Sequence, residues 1–359
     1  MLIIDAHLDL SMNALEWNRD LTRPVEEIRV REKGMTDKPD RGNNMVSLPA
    51  LRKGKIGLVV ATQIARFVEK SSLLPGWHSP AQAWAQTQGQ LAWYQAMEAA
   101  GEMKQIKNSS DLEAHIALWL NETIADETKP VGFILSLEGA DSLIRLSWLE
   151  KAWSYGLRAI GPAHYGPGRY SPGTGESGPL TKQGVDLLKE MDSLNMILDI
   201  THLTDEAFNQ AMSLYKGPVW ASHHNCRALV NHQRQLTDGQ IRELVQRNSV
   251  IGGVLDAWML KNNWVKGKSD PVKEGVKLEN LVDHYDHICQ LAGNSDHIAI
   301  GSDLDGMYGT EQSPADMDTI ADLQGLGPLL QKRGYEKTDI EKIFHGNWLR
   351  FLRQAWKSS

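Results

Sequence analysis

The chain has 359 residues, of which 41% are hydrophobic and 23% are charged, and its formal net charge at pH 7 is −7. This is the composition of an ordinary globular protein, and a chain of this length can bury a large core without covalent cross-links. The negative balance excludes nucleic acid as a partner held by a basic surface, because such binding needs positive charge to neutralise phosphates.

Cysteine usage and hydropathy bear on the compartment. Cys226 and Cys289 are the two cysteines and form no CxxC motif, which favours a reduced compartment without a disulfide framework. No apolar run approaches the ~20 residues that a membrane span requires. The apolar run at residues 2–4 is too short for a signal peptide and is followed at once by Asp5. We therefore expect a cytoplasmic protein with no membrane partner.

Short apolar segments rich in β-branched residues recur along the chain, and helical patterns separate most of them. The predicted strands begin at Leu2, Gly57, Val131, Leu157, Met196, Val219, Val250 and His297. The predicted helices cover residues 11–17, 79–100, 181–194, 204–214, 237–247, 278–291 and 337–356. Eight strands that alternate with helices predict an α/β fold, the (β/α)8 TIM barrel.

The whole chain is expected to form one domain, because no linker or change in composition divides residues 1–359. The polar segment of about residues 10–56, after the first strand, has little strand character. A loop of this length inside a compact domain is usually a lid or a binding loop. We therefore predict that residues 10–56 form a lid over the substrate.

Seven residues of the kind that bind metals lie at the carboxyl ends of the predicted strands. They are His7, Asp9, Glu138, His164, His202, His223 and Asp303. In a parallel barrel these ends gather on one face, where enzymes of this fold place their chemistry. His7 and Asp9 alone would more often mark the start of a loop. The other strand ends change that interpretation, because a cluster of imidazoles and carboxylates at a barrel mouth is expected to bind something.

Three histidines, an aspartate and a glutamate are enough ligands for two metal ions. Histidine and carboxylate ligands without a thiolate suit zinc, with manganese, iron and cobalt as alternatives. Glu138, which stands alone on its strand end, is the natural bridge between two ions. Asp303 lies across the barrel and is free to handle the proton of an attacking water.

At these residues the sequence resembles the membrane (renal) dipeptidase family of binuclear zinc peptidases, a branch of the amidohydrolase superfamily. The resemblance covers nearly the whole chain and is carried by Asp5-Ala6-His7-Leu8-Asp9, Leu137-Glu138-Gly139, Asp199-Ile200-Thr201-His202, Ser222-His223 and residues 301–306. It implies a (β/α)8 barrel of the metal-dependent hydrolase type. It also implies two Zn²⁺ ions per subunit, bound by His7, Asp9, Glu138, His202 and His223.

The resemblance further implies residues that act on substrate. His164 matches the histidine that binds the substrate and polarises the scissile carbonyl, and Asp303 matches the catalytic acid that handles the proton. Arg234 stands 11 residues after His223, the family's spacing for the arginine that grips the substrate carboxylate. The implied reaction is hydrolysis of small dipeptides, often with a D-residue on the C-terminal side, by a metal-bridged hydroxide. Whether the protein is a homodimer stays open.

The sequence departs from the family at three positions near the predicted site. His224 follows His223 where the family usually has a small serine, and one strand register lets only one of the two face the metals, for which we choose His223. Gln235 replaces a common asparagine. Asp256 falls where an uncharged residue is usual, so it either favours a cationic group on the substrate or points outward.

Other polar residues are given structural interpretations. We expect Asp5 to support the site and Asp305 to belong to a turn. Arg227 could either support the site or carry a charge at a helix start. The histidines interpreted as structural or solvated are His78, His115, His232, His284, His287, His297 and His345.

Two functional alternatives remain. One is another reaction of the amidohydrolase superfamily, on a lactone, a phosphoester or an N-acyl amino acid, because a barrel does not fix the reaction. Arg234 distinguishes these reactions from dipeptide hydrolysis, because a neutral substrate has no carboxylate for its guanidinium to bind. The other is a catalytically idle binding protein, which the complete set of five ligands plus Asp303 disfavours.

Overall fold

Parallel strands form a nearly closed barrel in the computed structural model, which describes residues 1–69 and 72–357. The strands are β1 (Ile3–Leu8), β2 (Ile56–Ile64), β3 (Met103–Gln105), β4 (Val131–Glu138), β5 (Leu157–Gly161), β6 (Ile197–Asp199), β7 (Val219–Trp220), β8 (Ile251–Gly253) and β9 (Ile298–Ile300). Their order in space is β7-β6-β5-β4-β2-β1-β9-β8. A parallel bridge between Ala221 and Ile251 brings the two end strands together.

All eight predicted strands are confirmed, and β3 was not predicted. It pairs with the first residues of β4, outside the path of the barrel. With three residues, of which Lys104 is exposed between two buried neighbours, it is too short to produce a pattern that can be read from sequence.

Helices follow most strands. The α-helices are α1 (Leu10–Glu16), α2 (Val25–Glu32), α3 (Leu48–Lys53), α4 (Pro80–Ala99), α5 (Ser109–Leu120), α6 (Leu149–Ser154), α7 (Lys182–Ser193), α8 (Asp205–Leu214), α9 (Asp238–Gln246), α10 (Ala257–Leu260), α11 (Pro271–Glu274), α12 (Glu279–Ala292), α13 (Leu326–Lys332), α14 (Lys337–Glu341) and α15 (Asn347–Ala355). Short 3-10 turns are Asp126–Thr128, Ala140–Ser142, Leu146–Trp148, Thr310–Gln312 and Ile320–Gly325. Thr181, Thr204 and Thr237 cap α7, α8 and α9, since each hydroxyl accepts a backbone N–H of the first turn.

The last predicted helix, residues 337–356, is interrupted. A π-helical turn, Lys342–Gly346, lies between α14 and α15. After this wider turn, the side chain of Asn347 donates to the carbonyls of Ser295 and Ile298, and Nε1 of Trp348 donates to the carbonyl of Ile300. The π-helical turn is thus followed directly by tertiary hydrogen bonds at the start of α15, and the amphipathic pattern of the sequence does not predict it.

The core has two layers. One cluster of buried residues lies between the strands and the surrounding helices. A second cluster contains inward residues such as Ile4 and Val60 together with α15. There the rings of Trp220 and Trp348 meet edge to face with centroids 5.7 Å apart. The amino end of the barrel is thus filled with apolar side chains, which leaves the carboxyl end for polar ones.

Candidate metal centre

The predicted site residues occupy matching places on successive strands. Glu138 is the last residue of β4, and His7 lies in β1, one residue before its end. Four others stand three residues after their strands end: His164 after β5, His202 after β6, His223 after β7 and Asp303 after β9. Because the strands are parallel, all of these positions fall on one face of the barrel.

Glu138 lies at the centre of the cluster. Its Oε1 is 3.2 Å from Nε2 of His202 and 3.6 Å from Nε2 of His223. Its Oε2 is 3.5 Å from Nε2 of His7. All four side chains are buried. One carboxylate oxygen therefore faces a pair of imidazoles, while the other faces the third imidazole. A single carboxylate can thus contribute a ligand atom to each of two adjacent cation positions.

The ring of His7 provides a test of whether the cluster fits a metal. Its Nε2 is buried and has no hydrogen-bond partner among the described residues, although carboxylate oxygens of Asp9 and Asp303 each lie 3.8 Å away. Buried polar atoms are normally paired. Candidate ligand atoms lie within 4.8 Å of one another in three sets: His7, His223 and Asp303; Glu138, His164 and His202; and His7, Asp9 and Glu138. The donor set and the unpaired nitrogen both fit a divalent cation.

His202 and His223 bind hydroxyl groups through their other ring nitrogen. Nδ1 of His202 is 2.8 Å from Oγ1 of Thr174, and Nδ1 of His223 is 2.9 Å from Oγ of Ser222. A hydroxyl oxygen can accept the Nδ1–H, which leaves the lone pair on Nε2, the atom that faces Glu138. Both rings can therefore present a metal-binding lone pair towards the centre of the cluster.

His164 and His224 contact arginines instead. Nδ1 of His164 is 2.9 Å from Nη2 of Arg66. Both ring nitrogens of His224 lie 3.2 Å from Nη1 of Arg234. The ring of His224 thus lies against a guanidinium, whereas the ring of His223 points into the cluster, in agreement with the choice of His223 from the strand register.

Burial and mutual charge shift the pKa values in the cluster. Burial opposes protonation of His7, but the neighbouring carboxylates, Glu138 foremost, raise its pKa to about 10. Burial, with the charge of Glu138, raises the pKa of Asp9 to about 6, and burial also raises the pKa of Asp303 well above its ordinary value. Burial lowers the pKa of His164 to about 4, which keeps that ring neutral. Crowded buried carboxylates of this kind are stabilised by a bound cation.

Two site residues have left-handed backbone conformations, His202 with φ of 69° and Asp303 with φ of 59°. Such conformations cost about 1–3 kcal/mol in non-glycine residues and persist where the surrounding structure enforces them. Each follows the end of its strand, where the change of backbone direction turns the side chain away from the strand's alternating pattern.

A cavity of about 450 Å³ opens over the cluster and is of a size that small ligands fill. It is lined by Asp9, Glu138, His164, His202, His223, Arg234 and Asp303 among others. Arg234 is 3% exposed, and its Nη2 donates to the carbonyl of His223 at 3.0 Å. A guanidinium has five N–H groups, so Arg234 retains donors for a ligand in the cavity.

The sequence matches a known family along its whole length. The family model described as "Membrane dipeptidase (Peptidase family M19)" covers residues 1–359. The chain belongs to this membrane dipeptidase family. Its predicted function, that of a metal-dependent dipeptidase, is thereby confirmed at the level of the family. Within the ranges 1–69 and 72–357, no helix combines the length and the apolar character needed to cross a membrane.

Relatives of this dipeptidase include two curated proteins. The uncharacterized protein in the pqqA 5′ region of Klebsiella pneumoniae is 28% identical over 268 residues, which are 72% of this chain and 91% of that protein. Dipeptidase tcpJ of Claviceps purpurea is 32% identical over 232 residues, which are 62% of this chain and 52% of that protein. The chain therefore matches about half the length of the second relative.

Two solved structures share the fold of this dipeptidase. A metallopeptidase from Rhodobacter sphaeroides, liganded with a phosphinate mimic of the dipeptide L-Ala-D-Ala, has a TM-score of 0.77 and 22% identity, and 99% of each chain is covered. The probable dipeptidase PvdM from Pseudomonas aeruginosa has a TM-score of 0.77 and 18% identity, with 100% of this chain and 96% of that one covered. The predicted (β/α)8 barrel is confirmed by these likenesses and by the strand order.

One wall of the dipeptidase cavity comes from residues that no sequence pattern indicated. Trp258 and Met259 of α10, with Trp264, Lys266, Tyr165 and His232, line this wall. The ring of His232 meets that of Trp258 edge to face with centroids 4.7 Å apart. His232, predicted to be structural or solvated, is exposed at the edge of the cavity, and its Nδ1 accepts the backbone N–H of Arg234 at 3.0 Å.

Asp256 stands three residues after β8, in the same relative place as the histidines and Asp303 on their strands. Its Oδ2 accepts a hydrogen bond from Nε1 of Trp258 at 2.7 Å, and its Oδ1 accepts one from Nε2 of Gln312 at 2.8 Å. Burial raises the pKa of Asp256 to about 7. Of the two orientations left open by the sequence, the inward one is observed, because Asp256 lines the cavity.

Asp5 and Arg227 support the surrounding structure. Oδ1 of Asp5 accepts the backbone N–H of Ser302 at 2.8 Å and that of His7 at 3.2 Å, which joins β1 to the residues after β9. Both terminal nitrogens of Arg227 lie 2.8 Å from the carboxylate of Asp205 at the start of α8. Asp5 thus has the supporting position predicted for it. Arg227 is bound to a helix start and also donates to the carbonyls of residues 233 and 235, on either side of Arg234, so it has features of both roles left open for it.

The segment of residues 10–56 contains α1, α2 and α3, of which α1 was predicted and the other two were not. It is held to the barrel by Asp305, whose carboxylate accepts the backbone N–H groups of Met45 and Val46 at 2.7 and 2.9 Å. No residue of 10–56 lines the cavity in the part of the chain that the structure describes. The lid role of this segment stays a prediction.

Proposed function

We propose that the protein hydrolyses the peptide bond of dipeptides at a centre of two Zn²⁺ ions bound by His7, Asp9, Glu138, His202 and His223. The observation that carries this proposal is the position of the Glu138 carboxylate between His7 on one side and two histidines on the other. A set of imidazoles and carboxylates without thiolate suits zinc. When bound, the ions supply Lewis-acid chemistry and lower the pKa of water towards ~7.

Arg234 selects the substrate by its free carboxylate. The guanidinium is buried in the cavity wall and is held by the carbonyl of His223. Its fixed planar fork can bind a carboxylate through two parallel hydrogen bonds. A clamp next to the metal cluster limits the distance between the substrate carboxylate and the bond that is cleaved, and this favours dipeptides over longer peptides.

His164 and Asp303 act on the reacting atoms. His164 donates a hydrogen bond to the carbonyl oxygen as negative charge develops on it. Asp303 takes a proton from the attacking water and delivers it to the nitrogen of the leaving amine as the C–N bond breaks. The distance of 3.8 Å between Asp303 and the ring of His7 supports this role, because it places the carboxylate at the edge of the cluster.

The stereochemistry of the second residue is part of the proposal. We expect dipeptides with a D-residue on the C-terminal side to be substrates, and the phosphinate mimic of L-Ala-D-Ala bound by the Rhodobacter sphaeroides relative supports this expectation. The wall of Trp258, Met259 and Trp264 offers apolar surface to the side chain of such a residue.

The proposal is tested with zinc-loaded protein on a substrate panel. L-Ala-D-Ala and L-Ala-L-Ala are compared with L-Ala-L-Ala-L-Ala, N-acetyl-alanine, a lactone and a phosphoester, and the released product is quantified. Turnover of the dipeptides at the highest kcat/KM supports the proposal, and turnover confined to the lactone or the phosphoester contradicts it. Metal analysis is expected to give two zinc ions per subunit. The homodimer and the cytoplasmic location stay predictions, testable by light scattering and by fractionation.

A further inference from the structure

Arg66, just after β2, makes a contact that none of the assigned roles explains. Its Nη2 lies 2.9 Å from Nδ1 of His164, and its Nη1 donates to the carbonyl of Pro75 at 3.2 Å. Its Nε is buried without a hydrogen-bond partner in the described ranges, and within those ranges the guanidinium forms no ion pair. A half-buried cation is therefore held against a neutral ring rather than against a carboxylate.

The chemistry of the two groups fixes the location of the ring proton. Arginine has no acceptor atom and stays protonated in proteins, so Arg66 can only donate. Nδ1 of His164 must then be the acceptor and must carry the lone pair. A neutral imidazole has one N–H, and in His164 it lies on Nε2.

This protonation is opposite to that of the two histidines beside it. His202 and His223 can each donate Nδ1–H to a hydroxyl and keep a lone pair on Nε2. His164 lies close enough to be counted with them, since its candidate ligand atom is within 4.8 Å of those of Glu138 and His202. An Nε2 that carries hydrogen has no lone pair to give to a cation. The group that contacts Nδ1 therefore distinguishes the three rings. His164 donates a hydrogen bond through Nε2, whereas His202 and His223 can bind a metal ion through Nε2.

We propose that Arg66 is a positioning residue that fixes His164 as an Nε2–H donor towards the substrate and keeps it out of the metal ligand set. The use of this donor on a carbonyl oxygen rests on the function proposed above, whereas the protonation of the ring does not. A donor that is oriented before the reaction stabilises the developing charge without a reorganisation step.

The protonation is measured by NMR on zinc-loaded protein labelled with ¹⁵N at histidine, with His164 assigned from the signal lost in His164→Gln. The wild type is expected to give the Nε2–H pattern for His164. Arg66→Met is expected to lose that single pattern, and Arg66→Lys, which retains a cationic donor, is expected to keep it. An Nδ1–H pattern in the wild type, or an unchanged Nε2–H pattern in Arg66→Met, overturns the proposal.

Kinetics on L-Ala-D-Ala test the consequence. Arg66→Met is expected to lower kcat by about 10–100-fold, the scale found for residues that orient a site histidine, with little change in KM because the interaction acts in the transition state. Arg66→Lys should recover part of kcat. The matched control is Arg169→Met, since the guanidinium of Arg169 donates to the carbonyls of residues 141, 143 and 144 and, among the described residues, contacts no histidine of the site. It should keep the wild-type kcat.

The zinc content of each variant distinguishes the remaining outcomes. Retained zinc with a lower kcat supports the positioning role, whereas loss of zinc in Arg66→Met shows that Arg66 maintains the metal centre and overturns it. If the wild type cleaves no dipeptide but the ring pattern still depends on Arg66, the proposed function fails and the role of Arg66 in fixing the ring stands. If the wild type cleaves dipeptides and Arg66→Met changes neither kcat nor the NMR pattern of His164, the proposed function stands and the proposed role of Arg66 fails.

Discussion

Replacing Arg234 with lysine keeps a positive charge in the cavity wall and removes the planar fork. In the wild type, three of the five N–H groups have partners: the carbonyl of His223 at 3.0 Å, the ring of His224 at 3.2 Å and Nε2 of His202 at 3.5 Å. Two N–H groups therefore remain for a carboxylate. A lysine ammonium has three donors in all and no planar pair. The variant therefore loses about one hydrogen bond to a charged group, or about 1.5–3 kcal/mol. This corresponds to about 10- to 150-fold in kcat/KM.

The assay compares L-Ala-D-Ala with its C-terminal amide. The wild type is expected to prefer the free acid, and in Arg234→Lys the ratio of the two kcat/KM values is expected to fall by the factor given above. Arg353→Lys is the matched control, because the guanidinium of Arg353 binds both carboxylate oxygens of Glu113, at 2.6 and 2.8 Å, and does not line the cavity among the described residues. An acid-to-amide ratio that is the same in Arg234→Lys and the wild type would refute the clamp.

Three further predictions concern proton transfer, metal and pH. Asp303→Asn should lower kcat by about 10²–10⁴-fold with unchanged zinc content in metal analysis. Chelation should abolish hydrolysis and lower the Tm in calorimetry, because the buried carboxylates lose their counter-charge, and added zinc should restore both. Burial raises the pKa of Asp256 to about 7, so the stability from its bound proton is lost as pH rises from about 4 to 7. Between pH 5 and 8, the free energy of unfolding measured in urea titrations should therefore fall less in Asp256→Asn than in the wild type. The same dependence on pH in both proteins would contradict this.

Much of the fold and of the candidate centre can be predicted because both follow from local patterns. Each barrel strand is a short apolar run, and each predicted metal ligand, as well as His164 and Asp303, lies at or within three positions of the end of its strand. Once the strands are known to be parallel, the chain order of Glu138, His164 and His202 is enough to place them on one face. No long-range contact has to be known in advance.

The residues that were missed depend on loops that fold over this face. Arg66 reaches His164 across 98 positions of sequence, and a contact of that span leaves no periodic pattern. The cavity wall around Trp258 could not be predicted either, because a tryptophan that follows a strand is equally consistent with ordinary packing. The inward orientation of Asp256 depends on donors from Trp258 and Gln312, and the second of these lies 56 residues further along the chain.

The junction of β1 with the residues after β9 has a consequence for biosynthesis. On one side β1 pairs with β2, which follows closely in the chain, but on the other side Asp5 binds Ser302 and His7 lies 3.8 Å from Asp303, so this second side is completed only when the ribosome has added about 300 further residues. At ~5–20 residues per second this takes roughly 15–60 s. During that interval β1, which carries His7, can pair on one side only. The cluster is therefore assembled late in translation, and any metal enters a barrel whose last strand has already been made.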